Sequence, residues 1–416
     1  ESNAMWTMFD PNTARGLSDV HGDAYVELYE KYRDAGLGLQ TIPARELWTA
    51  IMVSLIETGT PYMLNKDQGN KKSNQQNLGT IKSSNLCAEI VQYSSPEETA
   101  VCNLASVNLS RFVKNGAYDF DKLTEVVRVA VRNLNKIIDV SFYPSDNARR
   151  SNERHRPVGL GVSGLHDAFL MLGWVYDSPE ARALNKQIFE TIYRAAILES
   201  VALAKINGAY ETFKGSPSSK GILQFDMWGV DQSTLMWDDW REIKESVVQH
   251  GLRNSLLVAL MPTASSATIM GVTESFEIQT SNLFTRKVLS GEFALINKYL
   301  IRDLCRLGLW DKKMMMKLMQ HNGSVQAIEE IPEDIKDRYR TVWEYKMRSV
   351  IDMAADRSPF VDQSQSLNMF LQSPNVQLLT AMYNYAYKKG LKTMSYYLHS
   401  RGASDAINFA CTNCSA

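Results

Sequence analysis

The stretch Ser255-Leu-Leu-Val-Ala-Leu-Met261-Pro-Thr-Ala-Ser-Ser-Ala-Thr-Ile-Met-Gly271 sets the architecture. Its apolar run from Leu256 to Met261 reads as a short buried strand, Pro262 turns the chain, and a hydroxyl-rich segment then opens what has the character of a helix. Two further segments, Val158 to Val162 and the one around Tyr396, read as buried strands of the same kind. Between them lie helical patterns. From Asp121, residues Leu123, Val126, Val127, Ala130, Leu134, Ile137 and Ile138 follow three-four spacing. A second helix starts with Ser178 as cap and Pro179 in its first turn, lines one face with Leu184, Ile188, Ile192, Ala195 and Ala202, and ends at Asn207-Gly208. Strands alternating with helices imply an α/β fold.

The 416 residues of the chain allow two or three domains or one large barrel. Lys+Arg 45 against Asp+Glu 46 leaves a net charge of −1, so there is no overall positive field to hold a nucleic acid backbone. No apolar run approaches the ~20 residues that span a bilayer, and the first residues lack the basic and apolar regions of a signal peptide. A cytoplasmic protein without nucleic acid or membrane partners is expected. Five cysteines, an odd number without framework spacing, do not describe a disulfide-stapled domain, so a thiol with a task is redox or catalytic. Residues 1–12, with two aromatics, read as the middle of a folded body rather than a free terminus.

Several motifs admit a chemical and a structural reading. Thr263, Ala264, Ser265 and Ser266 at a helix start make a phosphate cradle or ordinary capping, and without a lysine they are no Walker loop. Asn85-Leu-Cys87-Ala-Glu89, if extended, turns an amide, a thiol and a carboxylate to one side, where acid and amide handle protons beside a reactive sulfur; the alternative is an inert buried cysteine. Cys102 and Cys305 read as packed thiols. Gly159-Leu-Gly161-Val-Ser-Gly164 matches a dinucleotide fingerprint superficially, but the acid closing a second strand is missing, so a close-packed strand and turn are expected. Tyr396-Tyr397 is either a strand pair or a redox relay. Residues 215–221 read as a surface loop and 402–416 as a mobile tail. That tail carries Cys411-Thr-Asn-Cys414, a dithiol rather than half a zinc site, since none of the six histidines pairs with it. No metal site is expected.

The motifs Glu57-Thr-Gly-Thr-Pro-Tyr-Met63, Lys72-Ser-Asn-Gln-Gln-Asn-Leu-Gly-Thr-Ile81, Asn85-Leu-Cys-Ala-Glu89, Val101-Cys-Asn-Leu-Ala-Ser106, Met261-Pro-Thr-Ala-Ser-Ser266, Thr280-Ser-Asn-Leu-Phe-Thr-Arg-Lys-Val-Leu-Ser-Gly-Glu-Phe293, Asp362-Gln-Ser-Gln-Ser-Leu-Asn368 and Tyr396-Tyr397 stand in this order. Together they resemble the catalytic large subunit of class I ribonucleotide reductase, most closely its eukaryotic and viral type. The resemblance implies the C-terminal part, residues 1–401, of a ten-stranded α/β barrel of two five-stranded halves with the cysteine on a finger loop, followed by a redox-active tail, 402–416. It implies reduction of ribonucleoside diphosphates for deoxyribonucleotide biosynthesis and DNA replication. Cys87 would be the thiyl radical that takes the ribose 3′ hydrogen, with Glu89 and Asn85 on the ribose hydroxyls and Thr263, Ala264, Ser265 and Ser266 on the diphosphate. Tyr396 and Tyr397 would bring oxidising equivalents from a metal-containing small subunit. Cys102 would be half of the reducing dithiol, and Cys411 and Cys414 the pair that restores it before being reduced by thioredoxin or glutaredoxin.

By the same resemblance this chain itself binds no cofactor. The ATP-cone region, the nucleotide effector sites, the first half of the barrel and the cysteine that pairs with Cys102 lie outside this sequence. A naturally split subunit, working in complex with the other half, is expected in preference to a truncated form. Two rivals are a cobalamin-dependent ribonucleotide reductase, which has no need of Tyr396-Tyr397, and a non-catalytic remnant that binds nucleotide or partner, which has no need of Cys87, Glu89, Cys102 and the tail pair.

Overall fold

The computed structural model describes residues 3–288 and 291–401. Its centre is a row of five extended segments. Leu104–Asn108 pairs in parallel with Gly159–Ser163, in register from Leu104 opposite Gly159 to Asn108 opposite Ser163. Parallel bridges join Leu160 to Val258 and Leu260 to Gln365, and Met369–Leu371 pairs in parallel with Leu398–Ser400. This is a partial α/β barrel, with the three expected strand segments all in the row. At one end Leu398 N–H donates to the Gly59 carbonyl (3.1 Å), and Thr393–Ser395 runs antiparallel to Met63–Leu64.

Helices cover the row because their apolar residues recur every three or four positions. Phe120–Val140 is started by Asp119, whose side chain accepts from Lys122 N–H, and it buries Leu123, Val127, Val131, Leu134 and Ile138. Fully burying a side chain of this size contributes about 1.5–3 kcal/mol. Ile137, expected on the same stripe, is 43% exposed. Pro179–Asn207 follows the expected caps, with the Ser178 side chain accepting from Ala181 N–H and Gly208 ending the helix. Both helices join the strands in one core with Met347–Arg357 and Val376–Lys388. Residues Leu283 to Tyr339 build a second, smaller core around Leu300, Leu304, Leu318 and Ile335. No helix among the described residues is long and apolar enough to cross a membrane.

Ser255 to Met261 is extended but is not a continuous ladder strand. The amides of Leu257 and Val258 donate to the Asp362 carboxylate instead (2.8 and 2.7 Å). Lys392, fully enclosed beside it, donates to the carbonyls of Asp362 (2.7 Å) and Lys72 (2.8 Å). Burial pushes the Asp362 acid up and the Lys392 amine down, the mutual attraction opposing both shifts. The pair ties the segment that leads to Thr263 to the one that leads to Tyr396.

The glycines of 159–164 act through close packing. A Cβ on Gly161 would lie 2.9 Å from the Ala259 carbonyl oxygen and 2.5 Å from Met261 Sδ, and one on Gly159 would lie 2.6 Å from Leu104 Cδ2. Gly161→Ala is therefore expected to destabilise the fold by about 1–3 kcal/mol, the usual cost of overpacking. A denaturant midpoint unchanged from wild type would show that the strands have room.

Three expectations from sequence need correction. Residues 215–221 are not simply a surface loop: Ser216 and Ser218 are buried, with Ser218 N–H donating to Asn74 Oδ1 (3.0 Å). Cys305 is exposed on the helix Lys298–Arg306, whose buried face is Tyr299, Leu300, Asp303 and Leu304. Cys102, read as a packed thiol, is exposed at the approach to Leu104–Asn108.

Candidate active site

Asn85 to Glu89 is not extended. A tight turn at Leu86–Ala88, closed by Ala88 N–H donating to the Asn85 carbonyl (3.2 Å), replaces the extended run, and the Asn85 and Glu89 side chains hydrogen-bond across it. Ala88 has φ +64, a left-handed conformation that a non-glycine residue adopts at some cost. Distant side chains hold it there: Thr393 Oγ1 donates to the Ala88 carbonyl (2.7 Å) and Ser366 Oγ to the Cys87 carbonyl (2.6 Å). The turn rests on the Gln363–Ser366 segment, where Ser364 N–H donates to the Glu89 carbonyl (2.9 Å).

Glu89 is 1% exposed. Burial raises its acid, opposed by hydrogen bonds from Asn85 and Ser366, the latter 3.2 Å from Oε2. Asn85 Oδ1 accepts from Ile90 N–H (3.1 Å), which leaves its amino group to face Glu89. A carboxyl shifted upward in this way exchanges protons more readily near neutral pH. Cys87, half-buried, has its sulfur 3.5 Å from Tyr396 Oη. Surrounding protein, then the nearby Glu89 and Cys87, push the exposed Cys102 thiol up to about 11. It is therefore a thiol and not a thiolate at neutral pH, able to give hydrogen and electron together.

Tyr396 and Tyr397 occupy the break between Thr393–Ser395 and Leu398–Ser400, their rings 4.4 Å apart. Sequence reasoning missed a third phenol. Tyr62 lies 4.8 Å from Tyr396 and 5.0 Å from Tyr397 by ring centroids. Burial raises the Tyr62 hydroxyl, a hydrogen bond with Tyr397 adds to this, and one with Tyr396 opposes it. Ser366 and Thr393 were missed too. For Ser366 the signal is a run of polar residues, Asp362-Gln-Ser-Gln-Ser366, between apolar ones, every member of which is buried; Thr393 has no such run around it.

The hydroxyl-rich turn is present, as the start of the short helix Ala264–Met270. Thr263 does not cap it: its Oγ1 accepts from Ser275 N–H (2.8 Å), while Ser266 Oγ donates to the Thr263 carbonyl (3.2 Å). Ala264 is half-buried, and Ser265 and Ser266 are exposed. Ser366 N–H donates to the Leu260 carbonyl (2.9 Å), so the segment supporting Cys87 adjoins the one entering this turn. Cys411 and Cys414 lie outside the described residues. Among those described, no group of three His, Cys, Asp or Glu residues is arranged to hold a metal ion.

Comparisons with known proteins show the family. A family model described as ribonucleotide reductase, barrel domain, matches residues 1–397. The ribonucleoside-diphosphate reductase large chain of Schizosaccharomyces pombe is 57% identical over 409 residues, covering 98% of this chain and 50% of that protein. The large subunit from Arabidopsis thaliana is 53% identical over 429 residues, covering 98% and 52%. Among solved structures, the alpha subunit of the Actinobacillus ureae class Id ribonucleotide reductase matches with a TM-score of 0.69 at 28% identity, covering 86% of this chain and 61% of that one. The chain spans about half the length of the curated relatives it matches.

Proposed function

This chain belongs to the ribonucleotide reductase barrel-domain family, as a C-terminal part of a class I large subunit, and from that premise we propose that it carries the reducing site for ribonucleoside diphosphates. The observation that carries the reading is the 3.5 Å approach of Tyr396 Oη to Cys87 Sγ beside the buried Glu89. An oxidised Tyr396 takes the hydrogen atom from the Cys87 thiol, and the resulting thiyl takes the 3′ hydrogen of the ribose. Glu89, oriented by Asn85 and Ser366, accepts the O3′ proton. The 2′-hydroxyl leaves as water. That loss needs two electrons and two protons, which Cys102 and a partner cysteine on the remainder of the large subunit supply by becoming a disulfide. Cys87 then returns its hydrogen to C3′, and the radical goes back through Tyr396.

In this reading the Thr263–Ser266 turn receives the diphosphate, Tyr397 connects Tyr396 to the small subunit, and Cys411 and Cys414 reduce the disulfide before thioredoxin or glutaredoxin reduces them. The enzyme works only as an assembly, in the cytoplasm, with the other half of the large subunit and the radical-generating small subunit. The test is deoxyribonucleotide formation from a ribonucleoside diphosphate by the reassembled chains. Turnover requires all of them; turnover of this chain with adenosylcobalamin and no small subunit would contradict the reading. Within that assay, Cys411→Ser is expected to lose thioredoxin-supported turnover and to keep dithiothreitol-supported turnover, because the small reductant reaches the disulfide without a shuttle. Equal loss with both reductants would remove the shuttle from the scheme.

A further inference from the structure

The two relay tyrosines are gripped along their backbones by residues 367–369. Tyr396 N–H donates to the Leu367 carbonyl (2.6 Å) and Met369 N–H to the Tyr397 carbonyl (2.9 Å). The remaining donor, Tyr397 N–H, falls where the ladder is broken and is taken by the Asn368 side chain, Oδ1 at 3.2 Å. A side-chain amide can be turned either way. With its amino group toward Tyr397 it would set donor against donor, so whatever fixes the amide fixes this contact. Asn368 Nδ2 donates to Glu277 Oε1 (3.3 Å).

We propose that Glu277 is a positioning residue for the tyrosine relay: by accepting from Asn368 Nδ2 it aims Asn368 Oδ1 at Tyr397 N–H and holds the second phenol against the first. The assignment to a relay rests on the function proposed above. Glu277 is well anchored for this. Its neighbour Ser275 is bonded to Thr263, and Phe276 packs under the fully buried guanidinium of Arg357, 4.0 Å from the ring centroid. Burial, with Glu274 adding and Arg357 opposing, pushes the Glu277 acid up to about 8. Either protonation state keeps a carbonyl-type oxygen for Asn368, and glutamine reproduces the neutral form.

The test uses the reassembled enzyme carrying E277A, E277Q or N368A, read by turnover and by hydrogen exchange at the Tyr397 amide, resolved by mass spectrometry with residue-level fragmentation. E277A and N368A should speed exchange there by about tenfold, the consequence of losing one hydrogen bond. Both should lower kcat while KM stays put, and E277Q should restore exchange and turnover. Wild-type exchange in E277A, or E277Q behaving as E277A does, would overturn the proposal. Retained turnover in Tyr397→Phe would instead overturn the relay reading, and the exchange result would still judge the clamp.

Discussion

Cys87→Ser is expected to bring turnover of the assembled enzyme to background while ribonucleoside diphosphate still binds. Serine preserves the size of the side chain and the turn, which is held through the backbone by Ser366 and Thr393. What it changes is the bond to hydrogen. An alcohol O–H is much stronger than a thiol S–H, so the oxidised phenol at Tyr396 cannot take that hydrogen and no radical reaches the sugar. A fall of more than four decades corresponds to more than about 5 kcal/mol of barrier. Substrate affinity is the control, because Glu89, Asn85 and the Thr263–Ser266 turn are untouched. A KM effect without a kcat effect would make Cys87 a binding residue.

Tyr396→Phe should be equally severe for a different reason. The ring stays, and with it the packing against Tyr62 and Tyr397 at 4.8 and 4.4 Å. The hydroxyl 3.5 Å from Cys87 Sγ is lost, and a benzene ring has no proton to give up with its electron. Oxidising equivalents should stop at Tyr397, with unchanged folding and substrate affinity. Turnover within tenfold of wild type would mean that the hole reaches Cys87 by another route. The same substitution at Tyr397 is expected to stop transfer one step earlier.

The parts legible in the sequence were the local ones. Ser178 caps its helix through the donor three residues on, and the three-four stripes of 120–140 and 179–207 need only the helix's own geometry. The GxGxxG run reads as close packing in sequence and is close-packed in the fold, where the chain continues from it through the helices Leu165–Leu172 and Pro179–Asn207 and not into a second strand ending in an acid. Some contacts among the candidate residues were legible too: Asn85 does hydrogen-bond Glu89, and Tyr396 does face the Cys87 sulfur.

The conformation that unites them was not. Alternation suggested an extended segment, whereas Thr393 and Ser366, some 300 positions along the chain, hold Ala88 in a left-handed turn. No local pattern carries that. Tyr62 escaped for the same reason, being a lone phenol in sequence and the third of three in space. Cys305 and Cys102 read as packed because their neighbours are apolar, yet both are exposed, Cys305 on the outer face of its helix and Cys102 just before the strand Leu104–Asn108. Ser216 and Ser218 show the converse, a polar stretch buried because the Asn74 side chain satisfies one of its amides.

In the proposed function the Cys87 sulfur takes the 3′ hydrogen of a ribonucleoside diphosphate. Its most direct test is a competition in the assembled enzyme between ordinary substrate and substrate deuterated at C3′. A primary isotope effect on kcat/KM is expected, with retention of the deuterium at C3′ of the product and no reaction at all with Cys87→Ser. An isotope effect of unity with deuterium lost, or label-bearing product formed by Cys87→Ser, would contradict it.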